Sequence, residues 1–474
     1  MQPSRRPTTD SRADSGKRPL WILLAACVLV SIVASLWPKP NGPVSSATTN
    51  SVSTSASRGV ARPANVGRTF AAHRSVDGQS QGSAEEIVAG KLSQFVRARR
   101  KIAHDFADHL KVTVPLEVDR LFEALEAGRW DDAKAQYKTL EEVHRSASGT
   151  ESLGKLWPVI QDAYGAAEQA HLWPAQQLLD YGQSVLAALP PGAVYLGGTD
   201  AGRWIPELLN DTSDGERHVI LTQNAFADGS YLDYLNFEYG NRLNTPTSGD
   251  SQHAFTEYIA DVQKRFLHDR QSPNEARQLH PGEAVEVGDG RIQVSGQPAV
   301  MAVNESLLQS LLQKNPETRF AVEESFPLPS TYTNAAPLGP LIELRAPGGP
   351  DTLSAESAAR ALDYWNAAVQ PLFSDPVASQ SPDVLQTYSR DIAAQANLFA
   401  ANNLSAQAEE GYRLATQLFP ADAQTATAYA NLLISQDRLA DAAQVANNAL
   451  KAAPDTKPVQ ELAQRIATLQ AGGK

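Results

Sequence analysis

An apolar stretch near the N-terminus is the strongest hydrophobic pattern in the chain. Leu20 to Trp37 holds no charged side chain, and eighteen helical residues span roughly 27 Å, close to the hydrocarbon thickness of a bilayer. Its Leu, Ile and Val side chains favour insertion by roughly 3 to 6 kcal/mol. We predict an uncleaved transmembrane helix over 20–37.

Basic residues cluster before this stretch, whereas only Lys39 follows it closely. By the positive-inside rule, residues 1–19 form a cytoplasmic tail and the bulk of the chain is periplasmic or otherwise extracytoplasmic. The expected localisation is therefore the inner membrane, crossed once. Two alternatives stay open: lipidation at Cys27, which ends a Leu-Ala-Ala-Cys sequence, and signal cleavage near Val33-Ala34-Ser35.

A composition change and then a helical pattern follow the apolar stretch. Residues 38–83 are rich in Ser, Thr, Ala, Gly and Asn, which predicts a flexible stalk. Over 84–189 apolar residues recur at three-, four- and seven-residue steps, which predicts helices. The basic run at Arg97, Arg99, Arg100 and Lys101 is interpreted as a solvated face. The first helix carries this apolar pattern at Val88, Leu92, Phe95, Ile102, Phe106 and Leu110.

Two helical hairpins are expected within this region. Leu121 to Leu140 predicts two short helices joined at Gly128-Arg129, in a spacing similar to a degenerate tetratricopeptide hairpin. A second hairpin is expected over Trp157 to Leu189, after which Pro190-Pro191 end the helical region.

From Gly192 short apolar strands alternate with helices, which predicts a partly parallel sheet in an α/β domain over 190–345. The first strand covers Ala193–Leu196 and the second His218–Leu221. Later segments predict a hairpin at 284–287 and 291–294, a helix from Glu305 to Lys314 and strands at 319–322 and 341–344. Four prolines between the last two strands predict an irregular connection.

The loops after the first two strands form the candidate ligand site, because ligands of parallel sheets bind where the strand carboxyl ends meet. In the alternative interpretation the glycines form a tight turn and Asp200 caps a helix. Glu323-Glu324 could bring a carboxylate to Asp200 or Asp228 for acid–base chemistry. The candidate ligand-binding residues are Gly197, Gly198, Thr199, Asp200, Asn224 and Asp228.

A 34-residue repeat dominates the C-terminal region, 354–474. Small residues where helices cross and a proline after the second helix resemble the tetratricopeptide pattern, which predicts two hairpins, a capping helix over 458–469 and a further helix over 358–373. Such arrays bind a peptide or protein partner, and the candidate groove residues are Asn397, Asn402, Asn403 and Asn431. The repeated positions are Ala396, Phe399, Ala408, Tyr412, Ala415 and Pro420, matched by Ala430, Leu433, Ala442, Ala446, Ala449 and Pro454.

Several stretches also carry a family resemblance: AVYLGGTDAGRW, VILTQNAFADGSYLDYL, VMAVNESLLQSLL, FAVEESFPLPSTY and LGPLIELR. They resemble segments of uncharacterised bacterial tetratricopeptide-containing membrane proteins. More distantly, they are similar to the extracytoplasmic C-terminal region of multispanning proteins of the O-mannosyltransferase-like class. Since the glycosyl-transfer chemistry of that class is associated with its membrane portion, the resemblance implies an accessory role linked to cell-envelope glycosylation.

The net charge and the residue types present argue against several classes of function. A net charge of −12 without a basic stripe argues against nucleic acid as a partner, and a single cysteine excludes an intrachain disulfide or a Cys-based zinc cluster. His104 and His109 are five residues apart, a spacing that does not place both on one helical face. No H-E-x-x-H or G-x-S-x-G motif is present. We predict no metal, no cofactor and no catalytic residues.

The sequence therefore favours a multi-domain α+β and α protein in which a transmembrane helix, a helical hairpin region, an α/β domain and tetratricopeptide-like hairpins follow one another. The expected function is a membrane-anchored interaction or accessory scaffold that binds a protein or peptide through its helical array. The alternative is a carbohydrate-related ligand-binding protein or enzyme that uses the loop edge at Asp200, Asn224 and Asp228.

Overall fold

A computed structural model describes residues 34–35, 82–146, 151–280, 282–288, 291–324, 327–345 and 353–472. The predicted membrane span and stalk lie outside these residues except at their edges. Ala34–Ser35, near the end of the predicted membrane helix, form a short strand, β1, and not a helix, and Ser83 caps the first described helix. Among the helices of the described residues, none is long and apolar enough to cross a membrane.

Five helices form the N-terminal helical region, 84–188. Both predicted hairpins are confirmed as helix–turn–helix units, α2–α3 and α4–α5. Ser83 begins the first helix through a capping box with Glu86, since each side chain accepts the other residue's backbone N–H. The helices are α1 Ala84–Leu110, α2 Leu116–Glu126, α3 Trp130–Arg145, α4 Glu151–Leu172 and α5 Ala175–Ala188.

The sheet region, 194–344, contains a five-stranded mixed sheet in the order β3-β2-β6-β8-β7. Strand β2 is parallel to β3 and β6, and β8 is antiparallel to β6 and β7. A second small sheet has the order β1-β5-β4. The elements are β2 Val194–Gly197, α6 Ala201–Asp211, β3 Val219–Thr222, α7 Gly229–Tyr239, α8 Ser248–Gln271, β4 Ala284–Gly288, β5 Arg291–Ser295, α9 Gln297–Lys314, β6 Phe320–Val322, β7 Ala335–Leu338 and β8 Leu341–Leu344.

Two predictions in this region are wrong in detail. Helix α9 begins at Gln297 rather than Glu305, with Pro298 in its first turn, where the missing N–H costs nothing. The connection predicted to be irregular contains strand β7, which includes Pro337. Because β7 lies at the edge of the sheet, a residue without an N–H is tolerated there.

The two faces of the main sheet belong to two different cores. Tyr195, Ile220 and Ala321 pack with helices α5, α6 and the C-terminal helices. Their neighbours Leu196, Leu221 and Val322 pack with α1 to α4, α7 and α9. The alternation of side chains along each strand thus joins the sheet to the helical segments on both sides.

The C-terminal helices, 355–472, form two hairpins with one helix before and one after them. All the repeated positions inside helices are buried, from Ala396 to Ala449. The first hairpin is α11–α12 and the second α13–α14. The helices are α10 Ala355–Ser374, α11 Pro382–Ala401, α12 Ser405–Leu418, α13 Ala423–Ser435, α14 Leu439–Ala452 and α15 Lys457–Gly472.

Three hairpins share one turn geometry. Gly128, Asn403 and Asp437 have φ of 68°, 61° and 60°. In each turn the next residue's N–H donates to a carbonyl five residues earlier at 2.9 Å. A left-handed residue closed by this bond is a common helix C-terminus. The α2–α3 hairpin therefore has the same turn as the two repeats that the 34-residue period identified.

The interpretation of the basic run as a solvated face is wrong for Arg99, which is 1% exposed. Its guanidinium contacts Glu207 at 2.7 Å, Asp211 at 2.6 Å and Glu238 at 3.1 Å. Arg99 lies on the side of α1 that faces α6 and α7, where these carboxylates offset the cost of burying its charge. The other cations of the run remain at the surface in ion pairs.

Candidate functional site

The carboxyl ends of β2, β3 and β6 meet in parallel register, as expected for the candidate site. Gly197 ends β2, and a Cβ there would lie 2.5 Å from the Cβ of Arg203 on α6, so only glycine allows this approach. The N–H of Gly198 donates to Glu323 at 3.0 Å, and its carbonyl accepts from Thr222 at 2.9 Å. Thr199 is half-buried in the same loop.

Asp200 is the N-cap of α6, because its side chain accepts the N–H of Gly202 at 3.2 Å. Asp228 caps α7 in the same way and accepts the N–H of Ser230 at 2.9 Å. Both carboxylates thus have a structural use at a helix N-terminus. This is the arrangement that the alternative interpretation of the loop expected.

The candidate residues have different surroundings. The carboxylate of Asp200 acts on the pKa values of Glu323 and Asp391. That of Asp228 acts instead on the pKa of His144, on α3. The backbone carbonyl of Asn224 accepts from Asn304 at 3.0 Å. The structure thus brings Asp200 to Glu323, as one version of the acid–base hypothesis expected, and adds Asp391.

Glu323 and Asp391 form a buried carboxyl cluster with Asp200, between the sheet edge and α11. Glu323 is 5% and Asp391 3% exposed. Burial and the neighbouring carboxylates of Asp200 and Asp391 raise the pKa of Glu323 well above its ordinary value. Burial likewise raises the pKa of Asp391, although Tyr181 donates a hydrogen bond to it at 3.0 Å. Burial therefore favours the protonated form of both groups.

Glu324 lies next to this cluster and is also buried. Its carboxyl group accepts from the Tyr332 hydroxyl at 2.8 Å, from Asn397 at 3.2 Å and from the Leu328 N–H at 3.2 Å. Burial raises the pKa of Glu324 to about 7, although these three donors favour its ionised form. Within the described residues no group of His, Cys, Asp and Glu could hold a metal ion.

Two of the four asparagines predicted for a partner groove contact the sheet region. Asn397 donates to Glu324, and Asn402 donates to the carbonyl of Tyr332 at 3.3 Å. Asn431 is exposed and bonded to Arg465 on α15. Asn403 is exposed in the α11–α12 turn, where its φ is positive. The face of α11 that was predicted to meet a partner meets the sheet region of the same chain.

A different surface of the array contains a concave groove. Its cavity has a volume of about 560 Å³, within the usual range for ligand sites. The floor is formed by buried residues of α13, Ala426, Tyr429 and Leu433. The rim is mostly polar and comes from α12, α14 and the turns beside them. It consists of Arg413, Thr416, Gln417, Pro420, Arg438, Asp441, Gln444, Val445, Asn448 and Lys451, and the buried Ala449 completes the floor.

Sequence reasoning missed both this groove and Asp391. The repeat identifies which helix positions are buried, but not which of the two outer faces of the array is covered by another part of the chain. Asp391 did leave a signal, because it is a carboxylate beside the buried Ile392 in an apolar helix. Comparisons of the chain with protein-family models, curated proteins and solved structures returned no match. The family resemblance therefore stays an interpretation of its motifs.

Proposed function

We propose that this protein is a membrane-anchored interaction scaffold that binds an extended segment of a partner protein in the groove formed by α12, α13 and α14. The observation that carries the proposal is the groove itself, with an apolar floor and a polar rim. This division is typical of peptide-binding surfaces, where buried side chains supply affinity and the rim supplies orientation.

The attachment of the array supports this use. Gln395 on α11 donates to the carbonyls of Gly339 at 2.8 Å and Leu341 at 3.0 Å, beside the contacts of Asn397 and Asn402. The array is therefore held by α11, the first helix of its first hairpin, and the groove is formed by the helices that follow. A preformed surface of this kind binds without a large cost of ordering.

The charge of the rim indicates the chemistry of the partner. Arg413 is paired with Glu410, and Arg438 with Glu409 and Asp441. Lys451 is exposed and, within the described part of the chain, forms no ion pair. In a chain of net charge −12, this lysine favours a segment that carries an acidic side chain beside an apolar one.

The proposed anchor and extracytoplasmic location rest on the charge-free stretch Leu20 to Trp37 and the basic residues before it. The proposed link to envelope glycosylation rests only on the motif resemblance. The loop-edge enzyme has less support, because Asp200 and Asp228 both cap helices and lie in different surroundings.

Site-specific photo-crosslinking tests the groove in the full-length chain in its membrane. A photoreactive residue at Gln444, in the groove, is expected to give a discrete crosslinked partner, whereas one at Gln464, exposed on α15, is not. Lys451→Glu should reduce the Gln444 crosslink at least about fivefold, since it reverses the charge that faces the partner. Lys457→Glu, outside the groove, is the matched control. Equal crosslinks from Gln444 and Gln464 would contradict the proposal.

A further inference from the structure

The contact between α11 and the sheet region contains ionisable groups that the proposed groove does not use. Asp391, Gln395 and Asn402 lie on one side of α11, at steps of four and seven residues, and each bonds outside its own helix. Opposite them, Glu323 and Glu324 directly follow strand β6. Three carboxyl groups, Glu323, Glu324 and Asp391, therefore lie at one interface.

Hydroxyl, amide and backbone donors, rather than ion pairs, stabilise this interface. Glu324 faces Tyr332, Asn397 on α11, Tyr412 on α12 and Glu305 on α9. Within the described residues, neither Glu324 nor Asp391 forms an ion pair. A charged carboxylate that is buried without an ion pair is costly, so each group is more stable there when it is protonated.

Asp391 and Glu323 form the second part of the interface, and their carboxyl groups are buried there as that of Glu324 is. Asp391 faces Tyr181 on α5, Asp200 before α6 and its own neighbour Arg390. Arg390 contacts Asp422 at 3.3 Å. Glu323 faces the N–H of Gly198, the carboxylates of Asp200 and Asp391 and, more weakly, the guanidinium of Arg390. Adding negative charge to Asp391 or Glu323 therefore brings like charges together, which weakens the contact further.

We propose that the interface between α11 and the sheet region is a proton-linked latch, closed at acidic pH and loosened as the pH rises through neutrality. Opening admits water to the three carboxyl groups, which then ionise and release their protons. For each group that ionises on opening, the opening equilibrium rises about tenfold per pH unit between the pKa of the open and of the closed state.

The sign follows from the direction of the pKa changes. Burial raises all three pKa values in the closed state, so closing binds protons. Stabilisation by these groups is complete below the ordinary carboxyl pKa and declines as the pH approaches the raised value. For Glu324 this window extends from 4.5 to about 7.

Hydrogen exchange measured on the full-length chain in detergent micelles tests the latch. After correction for intrinsic exchange, amide protection in α11 should fall roughly ten- to a hundredfold between pH 5 and pH 8. Protection in α2, which lies outside the interface, should change much less. Protection in α11 that stays constant over this range would overturn the proposal. Because the series uses only the wild-type chain, its result does not depend on the folding of any variant.

Substitution of the carboxyl groups assigns the effect to them. Glu324→Gln combined with Asp391→Asn keeps polar groups of similar shape but removes two of the three ionisable groups, so protection in α11 should depend on pH much less than in the wild-type chain, with Glu323 as the remaining source. Asp363→Asn, an exposed carboxylate on α10, should leave the pH dependence intact. A double variant with the wild-type pH dependence would contradict the latch without affecting the proposed groove, which the crosslinking tests separately.

Discussion

Two clusters of buried ionisable groups stabilise this chain in opposite ways. Near α1, Arg99 and Arg203 contact Asp162, Glu207, Asp211 and Glu238, so the carboxylates have cations as partners. Beneath α11, Glu323, Glu324 and Asp391 have hydroxyl, amide and backbone donors instead. In the paired cluster, cations offset part of the cost of burying charge, although burial still raises the pKa of Glu207 to about 8. In the other cluster, burial favours the protonated form of each carboxyl group.

The two clusters differ in which of their groups titrate, and this difference determines how each region responds to a change of pH. Guanidinium groups do not titrate in the physiological range, so Arg99 and Arg203 keep their charge there, whereas burial raises the pKa of their partner Glu207 to about 8. Carboxyl groups with raised pKa values do titrate there and connect stability to pH. Since the paired cluster joins α1, α4, α6 and α7, the N-terminal helical region should stay attached to the sheet region when α11 loosens.

The largest expected effect comes from removing the cation of the paired cluster. Arg99→Ala leaves Glu207, Asp211 and Glu238 without their shared partner, and should lower the free energy of unfolding by about 3 to 5 kcal/mol. Arg97→Ala, two residues away and 61% exposed, is the control and should cost under about 0.5 kcal/mol. Equilibrium urea unfolding of both variants measures the difference. Similar losses for the two arginines would show that the Arg99 pairs add little.

A somewhat smaller effect is expected from Glu324 in the cluster beneath α11, and it depends on pH. Burial raises the pKa of Glu324 from 4.5 to about 7, so its stabilisation is complete below pH 4.5 and is lost as the pH rises to 7. The wild-type chain should lose about 2 to 3 kcal/mol from this group over that range. Glu324→Gln should lack this loss, as urea unfolding at pH 5 and pH 8 would measure. Parallel pH curves for the two proteins would exclude Glu324 as the source.

A change of packing without any change of charge sharpens the comparison. A Cβ at Gly165 on α4 would lie 2.1 Å from the ring of Trp204 on α6, so Gly165→Ala should displace α6 and cost about 1 to 3 kcal/mol. Gly154→Ala on the same helix meets nothing within 4 Å, and should be neutral or slightly stabilising. Thermal unfolding measures both. If Gly165→Ala were as mild as Gly154→Ala, the α4–α6 contact would not be tightly packed.

The local pattern of apolar and turn residues was enough to predict most of the helices and strands. The 3.6-residue period identified the two N-terminal hairpins, and the 34-residue repeat identified α11 to α14. Strands β2, β3, β6 and β8 were visible as short apolar runs between turns. Strand β7 was not, because Pro337 is unfavourable in a strand unless that strand is at a sheet edge, and edge position is a property of the whole sheet.

The candidate site could be predicted only in part. The strand carboxyl ends do meet, and Asp200 does lie near Glu323, as adjacent parallel strands require. Asp391, the third member of the cluster, lies on α11, far from Glu323 in the sequence. No local pattern indicates that the two residues are close in the fold. Long-range contacts of this kind have no local signal.

The sequence by itself determined the order of helices and strands, the repeat and its buried positions, because these depend on periodicity and turn residues near each other in the chain. Tertiary structure alone decided which charged residues are buried and what they meet. Arg99 and Arg97 belong to the same basic run, yet one lies among three carboxylates and the other at the surface. Burial and partners, not residue type alone, determine what such a group contributes to stability, and both depend on packing between distant segments.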